Sequence, residues 1–274
     1  NATRLRPSSI STSKHLLPIY DKPMIYYPVS ILMLAKIKDI LIVCKTADYD
    51  FYYNLLGNGN KFGINIIYAF QDKPRGIVDG LIIAKKIFGD CNISLILGDN
   101  FLYGDNISKL ITSSIGKNKV FLYKVNNPKD YGVAKFDHKG NLTNIFEKPK
   151  NPSSNYAIIG LYVYSKDSLK YLSKIKKSKR DEYEITSFNN YLLNKKILKY
   201  EKFGRGIWWI DLGNADNLLQ ASLFVKSIQS RQNILIGSLE EIALNNNFIT
   251  KKKLLKMILS EHSSYYNTLK EIYC

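Results

Sequence analysis

Two aspartates each follow an apolar run that could carry them to the same place. Asp99 follows the apolar run Ser94-Leu-Ile-Leu-Gly, and Asp211 closes Gly206-Ile-Trp-Trp-Ile. Each run reads as a buried strand, and in an open α/β sheet ligands gather beyond the carboxyl ends of the strands. Two carboxylates meeting there suit a hard cation such as Mg²⁺, which takes one or two carboxylates and fills its other positions with substrate oxygens and water. Singly, an Asp beside Gly or Asn is more often a turn former. A set of cations next to Ser, Thr or Pro complements the aspartates: Arg4, Lys14, Lys148 within Glu147-Lys-Pro, and Arg180 ahead of Asp181-Glu-Tyr-Glu. With a carboxylate-bound metal such groups serve phosphoryl or nucleotidyl transfer, in which catalysis is mainly positioning and charge neutralisation. One at a time, they are solvated charges in a Lys-rich chain.

The elements that must position these residues follow from hydrophobic period. Residues 28–38 are helical in pattern, 40–44 and 64–70 read as strands, and 76–88 carries apolar residues at helical spacing. Residues 94–97 and 119–125 are further strand runs. Strands separated by helices pair in parallel, which gives an α/β fold: a Rossmann-like, doubly wound mixed sheet, mostly parallel. From Asp130 the pattern changes to two alternating runs joined by Asp137-His-Lys-Gly, an inserted β-hairpin region, and residues 155–164 form a strong strand. Segments 214–232, 239–244 and 252–273 make a C-terminal helical region. The expected division is a catalytic domain over 1–213 and an oligomerisation or regulatory region over 214–274, with no flexible linker between them.

Composition narrows the classes. The 274 residues are 45% hydrophobic with a formal net charge of +17, enough apolar content for a sizeable core. The charge would suit nucleic acid or an anionic membrane, but the lysines are spread along the chain in short runs and no recognition module accompanies them. The excess of Lys with Ile, Asn and Tyr reads as a mutational bias towards A/T-rich codons. Neither nucleic acid nor membrane is expected as a partner. Cys44, Cys91 and Cys274 lie far apart, as reduced thiols of a cytoplasmic protein do, and His15, His138 and His262 lack metal-ligand spacing.

In order along the chain stand Thr3-Arg-Leu-Arg-Pro; Ser13-Lys-His-Leu-Leu-Pro-Ile-Tyr-Asp-Lys-Pro-Met-Ile-Tyr-Tyr-Pro; Leu97-Gly-Asp-Asn; Asp130-Tyr-Gly-Val; Glu147-Lys-Pro; Asn155-Tyr-Ala; Glu182-Tyr-Glu-Ile-Thr; and Trp209-Ile-Asp-Leu-Gly. This ordered series resembles the sugar-phosphate nucleotidyltransferase family, in its thymidylyl-transferring branch, from Asn1 to about Ile249. The resemblance implies transfer from dTTP to glucose 1-phosphate, with release of pyrophosphate, as the first step of dTDP-rhamnose synthesis. It gives Mg²⁺ to Asp99 and Asp211 and nucleotide binding to Thr3, Arg4, Lys14 and Asp99, with Arg4 and Lys14 on the triphosphate and catalytic. It gives the base to Gln71 and the backbone of Gly76. Lys148 and Arg180 would take the sugar phosphate, Glu147, Tyr131 and Gly132 the sugar hydroxyls, and Leu97, Ile158, Tyr162 and Trp209 the pocket walls. A homotetramer is implied as well, built through the C-terminal region with its Tyr265-Tyr266 pair and its Leu254, Leu255, Ile258 stripe.

The chain departs from the family pattern at Ala2, where Gly is usual, at Asp79, where Gly76-Ile-Val-Asp-Gly replaces Gly-Leu-Ala-Gln-Ala, and at Ile159, where Thr is usual. The pattern also sets a strand and a Gly-Gly pair directly before Thr3. The expectation is that the chain without them is inactive and poorly soluble, and that a form extended by them is active. The competing readings are an inactive or regulatory nucleotide-binding homologue, and a nucleotidyltransferase that uses UTP or another sugar 1-phosphate.

Overall fold

The computed structural model describes residues 3–178 and 181–274. In chain order the elements are β1 (Pro18–Ile19), β2 (Lys22–Pro23), α1 (Tyr26–Leu34), β3 (Asp39–Cys44), α2 (Tyr49–Leu56) and β4 (Asn65–Phe70). There follow α3 (Ile77–Phe88), β5 (Ile93–Ile96), β6 (Asn100–Gly104), α4 (Ile107–Thr112), β7 (Asn118–Lys124), β8 (Gly132–Phe136) and β9 (Leu142–Glu147). The last are β10 (Tyr156–Tyr164), α5 (Ile185–Asn194), β11 (Leu198–Lys202), β12 (Ile207–Asp211), α6 (Ala215–Gln232), α7 (Leu239–Asn245), α8 (Lys251–Ile258) and α9 (Ser264–Tyr273). They fall into two units: the described residues up to Phe70 with Gly98–Tyr103 and Trp208–Cys274, and Gln71–Leu97 with Gly104–Ile207.

In the first unit, α1 is apolar all round, and Tyr26 to Met33 are buried without exception. A helix with no polar face belongs inside a core, and its Pro28 sits in the first turn, where no backbone donor is lost. β3 and β4 pair in parallel from Asp39↔Asn65 to Cys44↔Phe70, with α2 in the crossover, as parallel pairing demands. β6 and β12 form a separate two-stranded sheet. Ile19, Met24, Tyr27, Phe101, Leu212 and Val225 pack into one cluster, which ties the β1–β2 hairpin to β6, β12 and α6.

The C-terminal helices start at polar caps: Asn214, Ser238, Thr250 and Ser263 each accept a backbone N–H with the side chain, satisfying a donor the helix leaves open. The single helical segment expected over 252–273 is two helices. Leu259 to Ser263 interrupts it, and the polar Ser260-Glu-His-Ser run, which ends in the cap of α9, is the reason.

The second unit is built around β10. On one edge β10 pairs antiparallel with β7; on the other it pairs antiparallel with β8 through Ala157 and Ile158 and with β5 through Leu161 to Tyr164. β11 adds to β7 in parallel, and β9 adds to β8 through the Asp137-His-Lys-Gly hairpin. The sheet is therefore mixed, as expected. One of its pairs, β7 with β11, is parallel and the other four are antiparallel, because a hairpin insertion delivers its strands antiparallel. Val78 and Leu81 of α3, Val120, Leu122, Ala134, Tyr164 and Phe188 form the core beneath it.

Between Ile158 and Tyr162 the register of β10 against β7 shifts: Ile158 pairs Leu122 and Tyr162 pairs Val120. The three β10 residues between them thus stand opposite the single Phe121 of β7, a bulge that re-aims the strand.

Candidate active site

Asp99 and Asp211 lie at the same end of the β6–β12 sheet. Asp99 precedes β6, Asp211 is the last residue of β12, and the N–H of Leu212 donates to the carbonyl of Asp99 at 2.8 Å. Asn100 braces this end: its Oδ1 accepts from Trp209 Nε1 at 2.7 Å and its Nδ2 donates to Asp99 Oδ1 at 3.1 Å. Gly213 keeps space beside the second carboxylate, since a Cβ there would stand 3.0 Å from Asp211 Oδ2. No group of three or more His, Cys, Asp or Glu gathers for a metal among the described residues. Two carboxylates fit Mg²⁺, which draws its remaining ligands from substrate phosphates and water; they do not fit a closed structural zinc site.

Lys14 is brought onto Asp99. Its Nζ forms an ion pair with Asp99 Oδ2, both side chains keeping about a fifth of their surface exposed, 20% and 19%. Burial alone would raise the Asp99 carboxyl; the charges of Lys14 and His15 and hydrogen bonds from Lys14 and Asn100 hold it below its ordinary value instead. The turn that carries Lys14 is fixed on both sides. Leu17 and His15 accept backbone bonds from Met24 and Ile25 at 2.9 and 2.8 Å. His15 Nδ1 lies 3.1 Å from the Tyr52 hydroxyl, which also meets Ser13 Oγ at 2.9 Å. Burial lowers the His15 imidazole to about 4, against the pull of Asp99, so near neutral pH it is uncharged.

The hairpin behind this turn is anchored by a buried cation. Lys22, 2% exposed, pairs with Asp21 at 2.5 Å and donates to Gln229 Oε1 at 3.1 Å. Gln229 Nε2 in turn donates to Asp21 Oδ2 at 2.9 Å, and the Lys22 ammonium lies 4.9 Å from the centre of the Tyr265 ring. A charge so deeply buried is tolerated only when partners surround it. Here they come from α6 and α9, so the C-terminal helices brace the segment that leads out of Lys14.

In the second unit, three of the expected sugar-phosphate residues share one row of the sheet. Ile158 pairs with Gly132, and Gly132 pairs with Glu147. The N–H of Lys148 donates to the carbonyl of Tyr131 at 3.0 Å, holding Lys148 at φ 44, an uncommon conformation for a residue with a side chain. The N–H of Leu97 donates to Gly160 at 2.8 Å, inside the β10 bulge that Ile158 and Tyr162 flank. Ile158 and Tyr162 are themselves core residues, 7% and 4% exposed. Thr186 joins this set without having been assigned a role: its Oγ1 donates to Glu147 Oε2 at 2.6 Å. The signal for it lay in the Glu182-Tyr-Glu-Ile-Thr motif, which ends on it.

Gln71 and Gly76 are also together in the second unit. Gly76 has φ +92, and a Cβ there would lie 2.4 Å from the carbonyl oxygen of Tyr183, so only glycine fits. The Gln71 amide is bonded to Asp79, one of the departures from the family pattern.

Trp209 belongs to the first unit with Asp99, Asp211 and Lys14. Thr3 and Arg4 form an exposed 3₁₀ turn there. Arg180 and Ala2 lie outside the described residues.

Comparison with known proteins bears on this arrangement as a whole. The nucleotidyl transferase family model matches residues 1–228. A glucose-1-phosphate thymidylyltransferase of Mycolicibacterium smegmatis is 42% identical over 93% of this chain and 89% of its own length. One of Neisseria gonorrhoeae is 41% identical over 92% and 88%. Among solved structures, a Bacillus anthracis protein assigned as a glucose-1-phosphate thymidylyltransferase, crystallised with sucrose, superposes with a TM-score of 0.74 at 35% identity, covering 81% of this chain and 90% of that one. A UDP-glucose pyrophosphorylase at 23% identity, TM-score 0.69, shares the fold. With a family model over most of its length and relatives of this identity along nearly all of it, the chain belongs to the nucleotidyl transferase family and is an enzyme of that class.

Proposed function

We propose that the chain transfers a thymidylyl group from dTTP to α-D-glucose 1-phosphate in a Mg²⁺-dependent reaction, giving dTDP-glucose and pyrophosphate. The observation that carries this reading is the end of the β6–β12 sheet, where Lys14 pairs with Asp99 and the residue after Asp211 is hydrogen-bonded to the Asp99 backbone. An oxygen of the sugar phosphate attacks the α-phosphorus, the bond from that phosphorus to the bridging oxygen breaks, and pyrophosphate leaves with the electron pair. Bound by Asp99 and Asp211, Mg²⁺ would neutralise charge on the two phosphates that must approach one another.

Lys14 and Arg4 hold the triphosphate, Lys14 as a point charge already carried to Asp99 and Arg4 through its planar fork. Lys148 and Arg180 receive the phosphate of the sugar, and Glu147, kept in place by Thr186, accepts from a sugar hydroxyl. The names of the relatives support the choice of substrates. The reaction is assigned to the cytoplasm, as the opening step of dTDP-rhamnose synthesis, and no helix among the described residues is long and apolar enough to cross a membrane. A homotetramer is part of the proposal, but Leu254, Ile258 and Tyr265 of the expected stripe are buried within the chain itself, and exposed Tyr20, Leu219 and Leu223, grouped where the Tyr20 N–H meets Ser222 Oγ at 3.2 Å, offer the apolar surface for association.

Pyrophosphate release by the purified chain with dTTP and glucose 1-phosphate, with and without Mg²⁺, tests the reading. Mg²⁺-dependent release that requires both substrates is expected. Release with ATP or GTP in preference to dTTP, or none with any pairing, would overturn it.

A further inference from the structure

The amide of Gln71 is held one way round. Its Nε2 donates to Oδ2 of Asp79 at 2.8 Å and lies 3.4 Å from the carbonyl oxygen of Gly76. The two ends of a side-chain amide are ordinarily hard to tell apart, but here chemistry decides. A carboxylate and a carbonyl offer only lone pairs, so both partners require the nitrogen end. No described residue hydrogen-bonds to Oε1, which is the end left to a ligand.

Both partners are themselves constrained. The Gly76 peptide is pinned by its φ of +92 against Tyr183, whose N–H donates to Arg75 at 2.8 Å and whose carbonyl receives Val78 N–H at 3.3 Å. Asp79 is the third residue of α3, where an acidic side chain commonly turns back to cap the helix. It makes no capping hydrogen bond and is directed at Gln71 instead. Turning the amide over would set Oε1 against a carboxylate and a carbonyl at once, an arrangement without a single hydrogen bond.

We propose that Asp79 is a positioning residue that fixes the polarity of the Gln71 amide, so that the base subsite offers an acceptor and selects pyrimidines bearing an N3–H over cytosine. The inference rests on the reading of Gln71 as the base contact. Thymine and uracil donate from N3, whereas cytosine presents a lone pair there, which an amide oxygen repels and leaves unpaired. A free amide could turn over for cytosine; one tied to Asp79 cannot. The carboxylate therefore narrows the choice of base without touching it.

The experiment compares dTTP, dUTP and dCTP as substrates for the full chain and for Asp79→Ala and Asp79→Asn. In the unsubstituted chain kcat/KM for dCTP is expected to fall below that for dTTP by at least about a hundredfold, as for a site built to hydrogen-bond a group its competitor lacks. Asp79→Ala should shrink the dTTP to dCTP ratio by about tenfold or more by releasing the amide, a change equal to about one hydrogen bond, and leave dTTP to dUTP unchanged. Asp79→Asn, which still offers an oxygen, should keep the original ratio. A purely structural role would lower all three substrates together, and that outcome, or an unaltered dTTP to dCTP ratio in Asp79→Ala, overturns the proposal. Calorimetry with dTDP, dUDP and dCDP reads the same selectivity without turnover. If the chain binds none of the three, the reading of Gln71 falls and takes this assignment with it.

Discussion

The backbone N–H of Leu212 donates to the carbonyl oxygen of Asp99 at 2.8 Å. Through that bond, carboxylates 112 positions apart in sequence come to one sheet end (211 − 99). Asp99→Asn and Asp211→Asn should each lower Mg²⁺-dependent turnover by about a thousandfold or more, since each removes a charged ligand in a place where charge stabilisation dominates. Neither carboxylate is a core side chain, so thermal unfolding should stay within a few degrees of the parent, about the shift expected from 1 kcal/mol or less. Near-parental product formation by either variant refutes the metal assignment.

Lys14 contributes charge and no packing that another side chain could not supply. Lys14→Met is expected to cut kcat/KM for dTTP by about a hundredfold to a thousandfold, the range for losing one group aimed at developing phosphate charge. Steady-state kinetics with each substrate varied in turn decides where the cation acts. An increase confined to the Michaelis constant for glucose 1-phosphate would place Lys14 on the wrong phosphate.

Glu147 owes its orientation to Thr186, and Gly132 keeps the space in front of them. Thr186→Val preserves shape and removes the hydroxyl, so the Michaelis constant for glucose 1-phosphate should rise by about tenfold, the worth of one hydrogen bond to a charged group. The constant for dTTP should not move. At Gly132 a Cβ would meet Thr186 Oγ1 at 3.6 Å and Glu147 Oε2 and Ile158 Cβ at 3.7 Å, ordinary contacts that the sheet accommodates. Gly132→Ala is thus expected to fold normally and to lose sugar-phosphate affinity. Unchanged affinity in the folded variant would show that the gap has no binding role.

Glu240 makes stability depend on pH in a particular direction. It is 2% exposed and accepts from the Tyr265 hydroxyl at 2.5 Å. Burial pushes its carboxyl above the ordinary 4.5, although the bond from Tyr265 pulls the other way. The unfolded chain therefore releases this proton at lower pH than the folded one, so stability present below about 4.5 is lost as pH rises through the raised folded value. Glu240→Gln keeps an acceptor for Tyr265 and has nothing to ionise. Its melting temperature should gain on the parent's as pH rises above about 4.5; a constant or shrinking difference would contradict the assignment.

What was legible in the sequence is what local pattern encodes. Asp211 closes β12 because an apolar run leads up to it, whereas Asp99 lies beyond the end of β5 and directly before β6, and the 137–140 turn announces its own hairpin. The pairs that orient the site could not be read the same way. Thr186 with Glu147, Tyr52 with His15 and Asp79 with Gln71 are side-chain bonds between different elements, and no periodicity carries them. Lys22 is the plainest case. In a chain of 40 Lys and Arg it reads as one more solvated charge, yet it is sealed in by Asp21, Gln229 and two tyrosine rings, partners that only the tertiary fold assembles. The break at Leu259–Ser263 was present in the sequence as a polar run ending in a serine cap, outweighed by the apolar residues on either side of it.

The bulge in β10 also limits what change the chain can survive. Ahead of it, Ile158 is registered with Gly132; behind it, Tyr162 is registered with Leu95. Replacing a side chain at 159–161 alters a contact, but inserting or deleting one residue there would slide one half of the strand past the other and turn each of its side chains to the opposite face. Among related sequences, length across these three positions is therefore expected to be invariant even where their composition drifts, and a gap in that stretch would mark a protein whose two sets of strand partners no longer serve one ligand.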